Sequence, residues 1–135
     1  MLQRIQSIWL LLASVCAFAS LTLPIYIGTD PQGIPSSELT AMPHFLLTVV
    51  TVIVGVLALI TIFLYGNRQL QFRLCLVGII LEIILLILYY LEIKNWKGSL
   101  ALSSLFHIGV LLFFFLAARG IHNDDKIIKE SNRLR

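Results

Sequence analysis

Glu82 stands alone in the apolar run LVGIILEIILLIL, and His107 stands in the similar run SSLFHIGVLLFFF. A carboxylate at the centre of an apolar helix costs about 2.5–3.5 kcal/mol on insertion scales. Two roles offset such a cost. One is a proton or cation site; the other is a hydrogen-bonded carboxyl that glues helices together. If the two runs form a helical hairpin turning near Asn95, Glu82 and His107 lie almost equally far from that turn. At about 1.5 Å of rise per residue they then share one depth. Ser103 and Ser104 lie one turn from His107, so Glu82, His107, Ser103 and Ser104 form a candidate buried polar cluster. Its chemistry would be proton sharing between carboxyl and imidazole. Depth follows from helix geometry, but rotation does not, and the alternative is that the two residues face different neighbours. No nucleophile–base constellation accompanies them, so no catalytic residue is assigned.

Metal and cofactor chemistry find no matching pattern. His44 stands at the edge of an apolar stretch, His107 in the middle of another and His122 in a polar tail, which does not suit paired haem ligands. Cys16 and Cys75 form no CxxC and sit at different depths, so neither a zinc site nor a thiol-redox pair is expected. The expectation is a protein without cofactor or metal, and not an enzyme.

The elements that position these residues follow from composition. Of 135 residues, 59% are hydrophobic and 13% charged, with a mean hydropathy of +0.94. Soluble domains average about 25% charged residues. The lipid bilayer is the expected surrounding, and the net charge of +3 does not suggest nucleic acid. Four stretches reach the roughly 20 apolar residues a helical span needs: about 5–27, 44–65, 72–91 and 98–118. Residues 28–43, rich in proline and glycine, read as a loop of turns. Asn67–Gln69 and Glu92–Lys97 read as short polar turns, and short turns join antiparallel neighbours. The expected fold is all-α, a membrane-embedded antiparallel four-helix bundle over residues 1–118 with a tail over 119–135.

Basic residues set the orientation. Arg4, Arg68, Arg73, Arg119, Lys126, Lys129, Arg133 and Arg135 fall on one side, against Lys94 and Lys97 on the other. Both termini are therefore expected in the cytoplasm of a bacterial inner membrane. Tyr26, Tyr65, Tyr89, Tyr90 and Trp96 fall near span ends, where aromatic belts form. A cleaved signal peptide ending near Ala17–Phe18–Ala19 is the competing reading of the first stretch. The apolar residues running on through Ile27 favour a retained span. Ala13, Ala17, Ser20, Gly55, Ala58 and Gly78 are small enough to let helices approach closely. The tail pairs Asp125 with Lys129 at i,i+4 and spaces Ile121, Ile128 and Leu134 as a short amphipathic helix. It reads as a topology-setting basic end, or as a docking segment for anionic headgroups or a partner. With Arg4, Asn67, Arg68, Arg73 and Arg119 it makes a candidate cytoplasmic patch that takes in Lys126, Lys129, Arg133 and Arg135.

Three edge motifs are more specific than the apolar runs: the opening MLQRIQSIWLLLA, the turn LYGNRQLQFRLC and the ending LAARGIHNDDKIIKESNRLR. In this order they resemble a family of four-span membrane proteins from Bacteroidetes that is described as a domain of unknown function. That family is similar to MIQRIQ at its opening, NRKLQIRLC at its turn and ARxIRKDExLVRSxDRLR at its tail. Gln3, Arg4, Ile5 and Gln6 match the opening; Asn67, Arg68, Leu70, Gln71, Arg73, Leu74 and Cys75 match the turn. Ala118, Arg119, Ile121, Asp124, Lys129, Ser131, Arg133, Leu134 and Arg135 match the tail. Gly120 and His122 depart from the pattern and are expected to soften the junction there. The resemblance implies architecture and location, not activity. Two functions remain in view: an accessory or structural subunit that binds a membrane-protein partner or a second copy, and a small dimeric proton-coupled transporter using Glu82.

Overall fold

The computed structural model describes residues 2–135, with side chains from Ile5 onward. Met1 and the side chains of Gln3 and Arg4 lie outside the described residues. Four helices carry the chain: α1 (Leu2–Ala19), α2 (Phe45–Phe63), α3 (Arg68–Ile93) and α4 (Leu105–Arg133). α1 and α3 each pack against both α2 and α4, which closes a ring. Neighbours run antiparallel: Gln6 near the start of α1 bonds Asp124 near the end of α4, and Gln71 at the start of α3 bonds the Thr61 carbonyl near the end of α2. Three helical stretches, Phe45–Phe63, Arg68–Ile93 and Leu102–Arg133, are long and apolar enough to cross a membrane. The apolar part of α1, Ile5–Ala19, is shorter.

The fold is not all-α. The connections expected as turns hold a three-stranded antiparallel sheet, β1 (Tyr26–Thr29), β2 (Ser37–Leu39) and β3 (Lys97–Leu100), ordered β2-β1-β3. The first apolar stretch therefore splits. Pro24 disfavours helical geometry in the residue before it. The Ser20 and Thr22 hydroxyls donate to the carbonyls of Ala17 and Ala19, satisfying acceptors that a helix end leaves open. The apolar residues up to Ile27 then feed β1 rather than extending α1. The fourth stretch also shifts. Its first residues form β3 and a 3₁₀ turn at Leu102–Ser104, and α4 then runs unbroken into the tail as far as Arg133. No separate tail helix forms, because no proline interrupts the chain beyond Ala118 and Gly120 alone does not stop a helix. Gly120 instead lies against the Gln6 side chain. Asn67 caps α3, its Oδ1 accepting from the Leu70 amide at 3.2 Å, so Arg68 and Gln69 belong to the helix and not to a turn.

β1 ties the α1–α2 connection to the α3–α4 connection. Tyr26 pairs with Leu39 on one side and Leu100 on the other, and Gly28 lies opposite Gly98. A Cβ at Gly28 would run into the Lys97 carbonyl oxygen, and one at Gly98 into that of Ile27. Backbone cannot yield as a flexible side chain does. Gly28→Val is expected to weaken this pairing by about 1–3 kcal/mol. Amide hydrogen exchange in detergent should quicken in β1 and β3 while the middle of α3 holds; unchanged exchange in β1 would contradict the register.

Candidate functional site

Each helix buries a stripe with a 3.5-residue repeat. The stripes are Gln6, Leu10, Ala13 and Ala17 on α1, continued by Ser20 just past its end, and Leu47, Thr51, Val54, Ala58 and Thr61 on α2. On α3 they are Gln71, Cys75, Gly78, Glu82, Leu85 and Tyr89, and on α4 His107, Val110, Phe114, Ala117, Ile121 and Asp124. This spacing keeps one seam turned toward the neighbouring helices. The small residues do their expected work inside it: the Phe18 ring lies over Gly55 and the Phe114 ring over Gly78.

The stripes form two apolar clusters. One, around Leu10, Val54, Cys75 and Phe114, fills the half nearer the start of α1. The other, around Tyr26, Leu39, Leu47, Leu85 and Tyr89, lies beneath the sheet. Glu82 and His107 sit between them on facing stripes. The structure brings them together: Glu82 Oε1 and His107 Nδ1 are 2.7 Å apart, with the side chains 1% and 2% exposed. Either the imidazole N–H donates to the carboxylate or the carboxyl O–H donates to the bare ring nitrogen. Tyr89 packs edge-on against the imidazole, ring centroids 5.1 Å apart, and its buried hydroxyl has no hydrogen-bond partner.

The serines do not join this pair. Ser103 Oγ donates to the Pro24 carbonyl, pinning the 3₁₀ turn to the segment before β1. Ser104 precedes α4 and makes no side-chain cap bond. The four-residue cluster therefore contracts to Glu82 and His107, with Tyr89 as the neighbour that sequence reading missed. Its place on the α3 stripe, one heptad from Glu82, was the available sign. A second missed contact joins two of the edge motifs: Gln6 Nε2 donates to Asp124 Oδ2 at 2.5 Å, both residues buried.

The basic residues of the candidate patch whose side chains are described gather at the end where α1 begins and α4 finishes; the Arg4 side chain lies outside the described residues. There Arg68, Phe72 and Arg73 of α3 face Ile121, His122 and Asp125 of α4 across a cleft of about 200 Å³. The Phe72 and His122 rings lie 5.9 Å apart. Asp125 Oδ2 accepts from Lys129 Nζ at 2.6 Å. Arg68 Nη1 is shut off from solvent and has no hydrogen-bond partner. A second hollow along α4 shares His122 and Asp125 and adds Lys126, Lys129 and Arg133. Arg119 is exposed outside both, and Asn67 serves as the α3 cap.

Among the described residues no three His, Cys, Asp or Glu side chains converge on a metal-sized site. Cys16 and Cys75 are both free thiols, Cys75 within the core. No curated protein and no solved structure matches the chain. A family match does cover it almost end to end, over residues 2–134 and so across all four helices, the sheet and both polar clusters, and on that match the chain belongs to the family described as a domain of unknown function (DUF4293).

Proposed function

We propose that the protein crosses a bacterial inner membrane four times with both termini in the cytoplasm, as the Bacteroidetes-like edge motifs suggest, and acts there as a non-enzymatic accessory or structural subunit of a membrane complex. One observation carries the reading. The outward faces of the helices are apolar, with Ile80, Ile84 and Ile87 of α3 and Leu112 and Phe115 of α4 exposed. The polar residues Gln6, Glu82, His107 and Asp124 are turned inward and partnered with each other. Soluble monomers rarely expose so continuous an apolar surface. In lipid it meets acyl chains or another membrane protein. Polar groups spent on each other hold helices together and leave no reaction centre. α1 joins the ring although its apolar helix is short, and α4 continues into the cytoplasmic tail. The basic excess at the end holding Arg68, Arg73 and the α4 tail supports the cytoplasmic side for that end.

A proton-coupled carrier working as a dimer is the second reading. The observation favouring it is the unpartnered Tyr89 hydroxyl beside a buried Glu–His pair. Affinity purification of the tagged chain in mild detergent separates the two, run on the wild type and on Glu82→Gln. A stoichiometric membrane-protein partner is expected with both. A lone homodimer without a partner would remove the accessory role. If Glu82→Gln also abolished a proton flux in proteoliposomes, the carrier reading would take its place.

A further inference from the structure

We propose that the cleft between the first turn of α3 and the far end of α4 binds a phosphate oxyanion, with Arg68 and Arg73 as its ligands. The first observation is the buried Arg68 Nη1, which has no acceptor. A guanidinium does not shed its proton in proteins, so this N–H remains a donor awaiting a partner. The second is charge. Among the described residues, neither Arg68 nor Arg73 is ion-paired, and both line the same cleft. The one carboxylate in the cleft, Asp125, would repel an anion, but Lys129 bonds it and brings a compensating charge. The third is the wall. Arg68 and Gln69 open α3, where the helix dipole is positive and, the Leu70 amide being taken by the Asn67 cap, the first two amides lack intrahelical acceptors. Arginine's planar fork matches the oxygens of phosphate better than a lysine point charge does.

Phe72 and Ile121 give the cleft an apolar side beside its cationic one. A phospholipid headgroup and a free phosphate share the oxyanion chemistry; the lipid also uses this apolar side. The site rests on the membrane reading only for its lipid source, and it does not depend on the accessory role.

The test uses the purified full chain in detergent. Native mass spectrometry compares phosphatidylglycerol with diacylglycerol, which lacks phosphate, and calorimetry titrates inorganic phosphate. Wild type is expected to retain phosphatidylglycerol at least about tenfold more strongly than diacylglycerol, on the strength of charge-assisted bonds to two arginines. Arg68→Gln and Arg73→Gln should each weaken this about fivefold or more, Arg68→Lys should fall between, and Lys94→Gln, exposed at the opposite end of α3, should match wild type. Binding of inorganic phosphate with the same variant pattern, and no lipid preference, supports the site and identifies a soluble source. Failure of the wild type to bind either anion overturns the proposal without reference to any variant. So does unchanged binding in both arginine-to-glutamine variants, with circular dichroism confirming their helicity. A chain that stayed soluble without detergent would end the membrane reading while leaving the phosphate titration decisive for the cleft.

Discussion

Replacing His107 with leucine is expected to lower the unfolding free energy by about 3–5 kcal/mol, the cost of removing one partner from a buried pair. Glu82 would be left with its 2.7 Å contact gone and only 1% of its surface exposed. Interhelical hydrogen bonds in membranes average only about 0.6 kcal/mol, because separated helices find substitute partners. Glu82 has few substitutes: every other residue from Leu76 to Leu88 is apolar, and the open group beside the pair is the single Tyr89 hydroxyl. The larger range therefore applies. The double variant Glu82→Leu with His107→Leu removes both polar groups at once and should be more stable than either single variant. A double-mutant cycle on reversible unfolding in detergent measures the coupling. If the single losses simply add, to within about 0.5 kcal/mol, the contact contributes nothing.

Gly78→Val is expected to cost about 1–3 kcal/mol through overpacking. A Cβ there would come within 2.6 Å of Phe114 Cε1, and Phe114 is fully buried with no room to turn away. The strain belongs to one pair of side chains, so trimming the ring should relieve it. Gly78→Val with Phe114→Leu should recover part of the loss, although Phe114→Leu alone destabilises by opening a void. Thermal unfolding of the four proteins decides the matter. A double variant no better than the sum of its parts would show that α3 and α4 meet some other way. Phe18 lies over Gly55 on the opposite side of the ring but is only partly buried, so a Cβ at Gly55 should be accommodated more cheaply.

The helices were legible in the sequence where composition alone sufficed. α2 and α3 follow from apolar runs bounded by polar turns, and their observed limits differ from the expected ones by a few residues. The connections were less legible, because apolarity does not distinguish a helix from a short strand. Leu21, Leu23, Ile25 and Ile27 continue the apolar run past Ala19, yet Pro24 and two hydroxyls end the helix and Ile27 lies in β1. Three- and four-residue strands are too short to show a period of two. At the other end, the charge rising after Ala118 marks the limit of an apolar span. It does not mark the end of a helix, and α4 continues to Arg133.

The pairing of Glu82 with His107 was half legible. Hairpin geometry gives their common depth, whereas their rotation is written in a heptad stripe: Cys75, Gly78, Glu82, Leu85 and Tyr89 against His107, Val110 and Phe114. Read that way, the stripe also points to Gln71 and Asp124 as buried polar groups; one step back from His107 it reaches Ser103 as well, which only the 3₁₀ turn and the bond to the Pro24 carbonyl take out of the pair. Gln6, Cys75 and Asp124, all matched to the edge motifs, are packing residues. Arg68 was misplaced for a different reason. A cap such as Asn67 converts an apparent turn into the first residues of a helix, and only then does that arginine line a cleft.

The central strand of the sheet has a consequence for how the chain is made. β1 and β2 leave the ribosome close together, but β3 follows only after both α2 and α3 have been synthesised. Until then one edge of β1 stays open, with its N–H and C=O groups available to a wrong partner. Gly28 lacks the side chain that would block such an approach. The nascent N-terminal half is therefore an unfinished template, and a chain truncated after α2 would carry that vacancy permanently.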